Sequence, residues 1–396
     1  MAGCRFCGTR LSHTLVDLGM SPLCESFLTR EQLNKMEPFF PLHAYVCGEC
    51  FLVQVEEYVG PERIFDEYAY FSSYSDAWLQ HARSYTDMIV SRLGLDGQSH
   101  VVELGSNDGY LLQYFVAKGI PVLGVEPAAN VAAAAVARGV ASTTRLFGRS
   151  VARDLVGEGK RADLIIGNNV LAQVTDLNGF VAGMKLLLKP RGVITMEFPH
   201  LVRLVEENQF DTIYHEHLCY FSLLSAESTF RRHGLEVFDV DTLPTHGGSL
   251  RVHVARAESG RKTGEAVLAL RRHERERGLD RIETYSGFDA KPRRVKERLL
   301  GLLDAARREG KRIAAYGAAA KGNTLLNYCG IGPDRVEYVV DRNPHKQGLF
   351  LPGSRIPVCP PERLRETRPD VLLLLPWNLL DELVAQLAFV RQWGGK

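Results

Sequence analysis

The run from His100 to Leu112, HVVELGSNDGYLL, constrains the fold of this chain more than any other stretch. Val101, Val102 and Leu104 favour a buried strand. Gly105 and Gly109 permit backbone conformations and close ligand approach that a Cβ would block. Asn107 or Asp108 is suited to cap a helix beginning at Tyr110. A strand, a tight glycine turn and a helix start form the unit from which open parallel α/β sheets are built. Such sheets bind ligands beyond the carboxyl ends of their strands, where this turn falls.

The acidic residues of the turn narrow the ligand. A dinucleotide fold would carry GxGxxG here, with backbone amides facing a pyrophosphate. This turn has two glycines spaced by four and brings Glu103 and Asp108, which would repel a pyrophosphate but could face an ammonium or sulfonium. The pattern resembles motif I of the class I S-adenosylmethionine-dependent methyltransferases, usually ExGxxxG. Glu103, Gly105, Asn107, Asp108 and Gly109 are therefore candidate cofactor-binding residues.

Strands and helices alternate after it. Strands are expected at Val101–Leu104, Pro121–Val125, Leu164–Gly167, Gly192–Phe198, Leu235–Asp241 and Ser249–Ala255, with helices at Tyr110–Ala117 and Ala128–Arg138. That order predicts a parallel sheet with crossover helices and a late pair of strands. In order and length it is similar to the seven-stranded methyltransferase core. Glu126, followed by Pro127, closes the second strand about twenty positions after the glycine turn, a placement suited to binding ribose hydroxyls. Asn168, Asn169 and Val170 end a further strand at the same sheet edge, where the amides would contact cofactor or cap a helix.

The cysteines constrain the first part of the chain. Cys4 and Cys7 form one CxxC pair, and Cys47 and Cys50 a second. Two such pairs can place four thiolates tetrahedrally around zinc, each in a knuckle closed by a turn, with Gly8 and Gly48 available for the turns. Four thiolates leave no open coordination position, so the Zn2+ is structural. Neither pair has the helix-start context of a redox motif. Cys24, Cys219, Cys329 and Cys359 are isolated and read as core or surface residues.

With 396 residues, 45% apolar and 24% charged, the chain has the composition of a globular protein of two to three domains. Net charge is +1 with both signs interspersed, which argues against a nucleic-acid surface. Cys4, Arg5, Cys7 and Arg10 interrupt any signal-peptide core, and the Leu372–Leu375 run is too short to span a bilayer. A cytoplasmic location, no membrane partner and a self-sufficient monomer are the expectations. Three divisions follow: a zinc-binding lobe over 1–75, a cofactor-binding core over 76–256 and a C-terminal Rossmann-like α/β lobe over 257–396. The aromatic stretch from Tyr68 to Tyr74 reads as a connector or a lid before the helix Asp76–Leu93. In the last lobe, helices Gly264–Arg277 and Pro292–Arg308 precede strand Ile313–Tyr316, a turn over 317–323 and helix Thr324–Tyr328. Strands Val336–Val340 and Val371–Leu375 follow. Lys321 beside a helix start makes a plausible phosphate cradle.

The second dense cluster is Tyr214-His215-Glu216-His217. It is not HExxH, because two histidines two apart share a helix face poorly, so zinc catalysis is not expected. In an extended segment both would point one way, with Tyr214 and Glu216 opposite.

The paired CxxC head, ELGSNDGYLL, GVEPAANVA, NNVLA, YHEHLCYFS, THGGSLRV and YGAAAKGNTLLNY occur in this order along essentially the whole chain. The set resembles that of the zinc-containing sugar C-methyltransferases, which act on nucleotide-linked 4-keto-deoxysugars in antibiotic and surface-glycan pathways. The resemblance implies proton removal next to the ketone by His217, then in-line attack of the enolate carbon on the sulfonium methyl group. It has Glu216 and Tyr214 orient or hydrogen-bond the sugar, brings Tyr68 or Tyr70 in from the aromatic connector, and makes the acceptor a dTDP-linked sugar. The diphosphate would lie between the last two lobes near Lys321, Asn323 and His246. One position departs from the pattern: Gln173 stands where the family usually has histidine. Glutamine can donate to an enolate oxygen but cannot deliver a proton. The competing readings are methylation of the same donor at oxygen or another carbon, a zinc-ribbon nucleic-acid methyltransferase or binding module, and a non-catalytic assembly protein.

Overall fold

The computed structural model describes residues 3–60 and 71–396. They form two compact units, each discontinuous in sequence: Met1–His13, Val46–Val202 and Leu218–Thr284 in one, and Thr14–Tyr45, Arg203–His217 and Tyr285–Lys396 in the other.

The first unit is built on a seven-stranded sheet: β1 (Val101–Leu104), β2 (Val122–Val125), β3 (Ser142–Thr143), β4 (Ala162–Asn168), β5 (Leu188–Pro199), β6 (Leu235–Leu243) and β7 (Ser249–Arg256). Their spatial order is β6-β7-β5-β4-β1-β2-β3. The first five pair in parallel, while β7 runs antiparallel to both β5 and β6. This is the class I methyltransferase sheet. Its chain reversal falls at β1, so the ends of β1, β2 and β4 open a crevice at one edge. All four residues of β1 are fully buried, as a strand covered on both faces requires. The helix Asp76–Leu93 lies where its periodicity predicts. It starts with Ser75 accepting from the Trp78 amide and ends at Gly94 in the left-handed region, φ 64°. Its Ala82, Tyr85 and Ile89 face join Val101, Leu112, Phe115, Leu164 and Val193 in one apolar core.

The turn after β1 departs from expectation. The helix begins at Leu112 rather than Tyr110, and neither Asn107 nor Asp108 caps it. Asn107 takes a left-handed conformation, φ 49°, and its Oδ1 accepts the Ser72 amide at 2.8 Å. Asp108 faces Arg138, whose Nη1 donates to Oδ2 at 2.7 Å, and also receives the Ser73 hydroxyl. Both of these contacts fall on Oδ2; the buried Oδ1 has no hydrogen-bond partner. Gly109 is required by packing: at φ 77° a Cβ there would meet Val140 Cγ2 at 2.9 Å and Ala135 Cβ at 3.3 Å.

The second unit holds a four-stranded parallel sheet of β8 (Ile313–Tyr316), β9 (Val339–Val340), β10 (Val358–Cys359) and β11 (Val371–Leu374), in the order β10-β9-β8-β11. Alternation along β8 sends Ile313 and Ala315 into one apolar cluster with Leu303 and Leu326, and Ala314 and Tyr316 into another with Leu383 and Val390. A sheet covered on both faces by helices is the expected Rossmann-like arrangement. The helix after β8 is longer than predicted, Ala320–Cys329, which places Lys321 and Asn323 inside its first turns.

Candidate active site

The crevice at the ends of β1, β2 and β4 is a cavity of about 440 Å³ within the first unit. Of the candidate cofactor residues, Gly105, Asn107, Glu126, Pro127, Asn168, Asn169 and Val170 line it. Glu126 anchors its middle: Oε2 accepts the Asn107 amide and Oε1 the Ala128 amide, both at 2.9 Å. Burial raises the pKa of this carboxyl, and the two amides oppose the shift. Glu103, Asp108 and Gly109 do not line the cavity. Glu103 is fully buried, and burial raises its pKa well above the ordinary value, with the neighbouring Tyr110 hydroxyl opposing the shift. Gln173 lines the cavity.

The cavity fits a long amphipathic ligand with a positive group. Leu146, Phe147 and Phe180 supply an apolar end, with the two phenyl rings edge-on at 5.3 Å. Trp78, Tyr110, Asn168 and Asn169 make an aromatic and polar group, in which the buried Oδ1 atoms of both asparagines have no hydrogen-bond partner. Unpartnered acceptors are costly unless a donor or cation arrives. Trp78, Leu146, Phe147, Arg149 and Phe180 were not anticipated. Trp78 lies on a helix outside any motif, and only the approach of that helix to β1 brings it to the crevice.

The four paired cysteines also lie within the first unit. Their Sγ atoms all fall within 4.8 Å of one another, with Cys4–Cys50 at 3.5 Å and Cys7–Cys47 at 3.4 Å. Ligands at the usual zinc–sulfur bond length stand about 3.8 Å apart around a tetrahedral ion, so the set fits zinc. Each pair closes a turn in which the residue after the second cysteine donates to the first cysteine's carbonyl: Gly8 to Cys4 at 2.9 Å and Phe51 to Cys47 at 3.0 Å. That residue needs positive φ. Gly8 supplies it at 82°, but in the second knuckle Phe51 does so at 56°, and Gly48 does not have the role expected of it. The contact between the Cys4 and Cys50 thiols lowers the pKa of Cys4 and raises that of Cys50, as two groups sharing one proton must. Gln54 Nε2 donates to Cys4 Sγ at 3.2 Å, an outer contact of the kind that orients metal ligands. Asn178 Nδ2 donates to the Phe6 carbonyl at 2.9 Å, tying the knuckle to the helix Leu177–Leu187.

Tyr214, Glu216 and His217 belong to the second unit, as do Lys321 and Asn323. The segment is a turn rather than a strand, closed by the His217 amide donating to the Tyr214 carbonyl at 3.0 Å. The two histidines therefore diverge. His215 Nε2 is 3.2 Å from the Pro41 carbonyl, and burial lowers its pKa. His217 Nε2 lies 3.0 Å from the Tyr214 hydroxyl, with the rings 4.2 Å apart. Glu216 is buried and accepts from Cys24 Sγ at 3.0 Å, and burial raises its pKa.

Lys321 is a buried amine that burial brings down to about 8, with the charge of Asp211 opposing. Its Nζ donates to the neutral Asn378 Oδ1 at 2.6 Å and stands 4.9 Å over the Trp377 ring. Trp377 Nε1 in turn donates to Asp211 Oδ2 at 2.7 Å, and burial raises that carboxyl to about 6. Asn323 is 1% exposed, and neither side-chain polar atom has a partner. His246 belongs to the first unit, where it lies 2.9 Å from Asn169 Nδ2 and edge-on to Trp78 at 5.1 Å. Tyr68 and Tyr70 lie outside the described residues.

Comparison with known proteins covers the whole of this arrangement. Three family models match in succession: "Putative zinc binding domain" over residues 4–65, "Methyltransferase domain" over 78–240 and "C-methyltransferase C-terminal domain" over 244–396. The C-methyltransferase NovU of Streptomyces niveus is 38% identical over 393 residues, spanning 99% of this chain and 94% of its own. A ubiquinone biosynthesis O-methyltransferase of Rhodopseudomonas palustris (strain TIE-1) is 27% identical over 96 residues, 24% of this chain and 38% of that one. Among solved structures, magnesium protoporphyrin IX methyltransferase from Synechocystis PCC 6803 with bound SAH is similar at 14% identity. Its TM-score is 0.36, over 45% of this chain and 83% of that one.

Proposed function

The chain belongs to the family of zinc-containing, S-adenosylmethionine-dependent C-methyltransferases, and from that premise we propose that its acceptor is a nucleotide-linked 4-keto-deoxysugar, carried on dTDP. The observation that carries this reading is the pairing of His217 Nε2 with the Tyr214 hydroxyl at 3.0 Å, on a turn that also holds the buried Glu216. A carbon nucleophile needs a base, and an imidazole is the side chain whose ordinary pKa suits that task near neutrality.

His217 takes the proton from the carbon beside the ketone, and the electron pair moves onto the ketone oxygen. The resulting enolate needs a hydrogen-bond donor, and Gln173 supplies an amide N–H for it. Tyr214 fixes the imidazole, and Glu216 holds sugar hydroxyls, with Tyr68 or Tyr70 contributing a further phenol. Bound S-adenosylmethionine supplies an electrophilic methyl group on a sulfonium. Glu126 holds the donor's ribose, while Gly105, Asn107, Pro127, Asn168, Asn169 and Val170 shape its cavity. Lys321 and Asn323 recognise the diphosphate, with His246 as a further contact. Support comes from the chemistry of that pair: a buried amine whose hydrogen bond goes to a neutral amide, and a buried amide with no partner. Both conditions favour an anion carrying many acceptors.

The test is mass spectrometry on a panel of nucleotide keto-sugars incubated with enzyme and S-adenosylmethionine. Gain of one methyl group on carbon in a 4-keto member is expected. His217→Asn is expected to abolish transfer while the donor still binds, and to stop deuterium exchange from solvent into the sugar. Full exchange and transfer in that variant would remove His217 as the base.

A further inference from the structure

We infer that Trp78, backed by Tyr110, forms the wall of the donor cavity that recognises positive charge on sulfur, and that buried Glu197 is the residue that positions this wall. Trp78 and Tyr110 both line the cavity, with their rings stacked at 5.9 Å and 23°. His81 stacks on Trp78 at 4.9 Å from the next turn of the same helix. Around them the cavity is rich in acceptors: the unpartnered buried side-chain oxygens among its lining residues are the Oδ1 atoms of Asn168 and Asn169. Aromatic faces and bare carbonyl oxygens share one preference, for a cation that has shed its water. A sulfonium has no N–H or O–H to donate, so it is told from a neutral thioether by its charge, which a π face attracts.

Glu197 explains why the wall stands there. It is fully buried on β5, in register with Asn168 on β4 and with Arg251 on β7. Its Oε2 lies 2.9 Å from His81 Nε2 and accepts from Arg251 Nη2 at 2.6 Å, while Oε1 accepts the Thr245 hydroxyl at 2.9 Å. One carboxylate thus fixes the helix that carries Trp78 and the turn that carries His246, which meets Trp78 edge-on. A buried carboxylate with three partners fixes the placement of those elements by the direction of its hydrogen bonds, which apolar packing does not specify. Glu197 does not line the cavity, so it acts through His81 and Thr245 and is a positioning residue.

The charge difference between S-adenosylmethionine and S-adenosylhomocysteine makes the inference measurable by calorimetric titration, with no acceptor sugar present. Trp78→Leu is expected to weaken S-adenosylmethionine about tenfold more than S-adenosylhomocysteine, and Trp78→Phe to restore part of that preference. Glu197→Gln is expected to shift the ratio in the same direction. Incorporation of fluorinated tryptophans, which drain the ring face without changing its shape, covers the case in which Trp78→Leu does not fold. Affinity for the sulfonium should then fall stepwise with fluorine number, while affinity for the thioether stays level. Equal weakening of both ligands in Trp78→Leu, or no dependence on fluorination, overturns the charge-recognition role. An unchanged ratio in Glu197→Gln overturns its positioning role.

Discussion

The thiol of Cys24 donates a hydrogen bond to Oε2 of Glu216 at 3.0 Å, and both residues are buried. Burial and the neighbouring carboxylate raise the pKa of Cys24 well above the ordinary value, so it remains a donor at any physiological pH. An isolated cysteine is thereby tied to the turn that carries the candidate base.

Cys24→Ala should leave a buried carboxyl oxygen without its donor, at a cost of about 1–3 kcal/mol. A roughly tenfold fall in kcat is expected, with donor affinity unchanged, and Cys24→Ser should recover most of the rate. Steady-state kinetics beside donor titration separates these outcomes; equal activity in wild type and Cys24→Ala would show that Glu216 needs no orientation.

Metal analysis should find one zinc per chain. Cys47→Ser, or a strong chelator, should release it and lower the thermal midpoint of unfolding, because the knuckle is anchored to the core through Asn178. A loss of several kcal/mol is expected, read as a fall in Tm of about 2–4 °C for each kcal/mol. Zinc removal without any change in Tm would contradict a structural role.

Asp108→Asn separates packing from ligand binding. Arg138 would lose the carboxylate that faces it, destabilising the first unit by about 1–3 kcal/mol, while donor affinity should change less than threefold. Chemical denaturation paired with calorimetric titration reads both quantities. A large loss of donor affinity without loss of stability would return Asp108 to the cofactor site.

The buried amine of Lys321 predicts a pH profile. Burial lowers it to about 8, so the free enzyme loses this charge as pH rises through that value. If it binds the diphosphate, kcat/KM for the nucleotide sugar should fall about tenfold per pH unit above about 8. Lys321→Met should abolish the fall and reduce kcat/KM below it. Stability runs in the opposite sense. Between about 8 and the ordinary lysine pKa the unfolded chain holds more protons, so Lys321 makes stability rise with pH there. Lys321→Met should therefore be the more stable protein at pH 7 and show a flatter alkaline profile in denaturation experiments.

Much of this molecule is written locally. The apolar blocks of β1, β2, β4 and β5, the helix Asp76–Leu93 and both CxxC pairs can be read from the chain. Each depends on periodicity, on capping by an adjacent residue, or on ligand spacing within one turn. Glu126 is legible for the same reason: it ends a strand at a fixed interval after the glycine turn. What neighbouring residues could not reveal is where buried charges and rings find partners. Asp108 reads from the sequence as a residue facing a cation, but that Arg138, two helices and a strand further along, packs against its carboxylate is invisible there. Phe51 rather than Gly48 carries the left-handed conformation, because the knuckle's hydrogen bond requires positive φ at the position after the second cysteine. Trp78 becomes a cavity wall only when its helix packs on β1 and Glu197 clamps it from β5. Periodicity is a property of a few consecutive residues, whereas burial of a charge is settled by whichever distant segment arrives beside it. The chain alone determined the methyltransferase sheet, the cysteine set and the position of the crevice; tertiary packing decided which side chains face that crevice and which are spent holding it open.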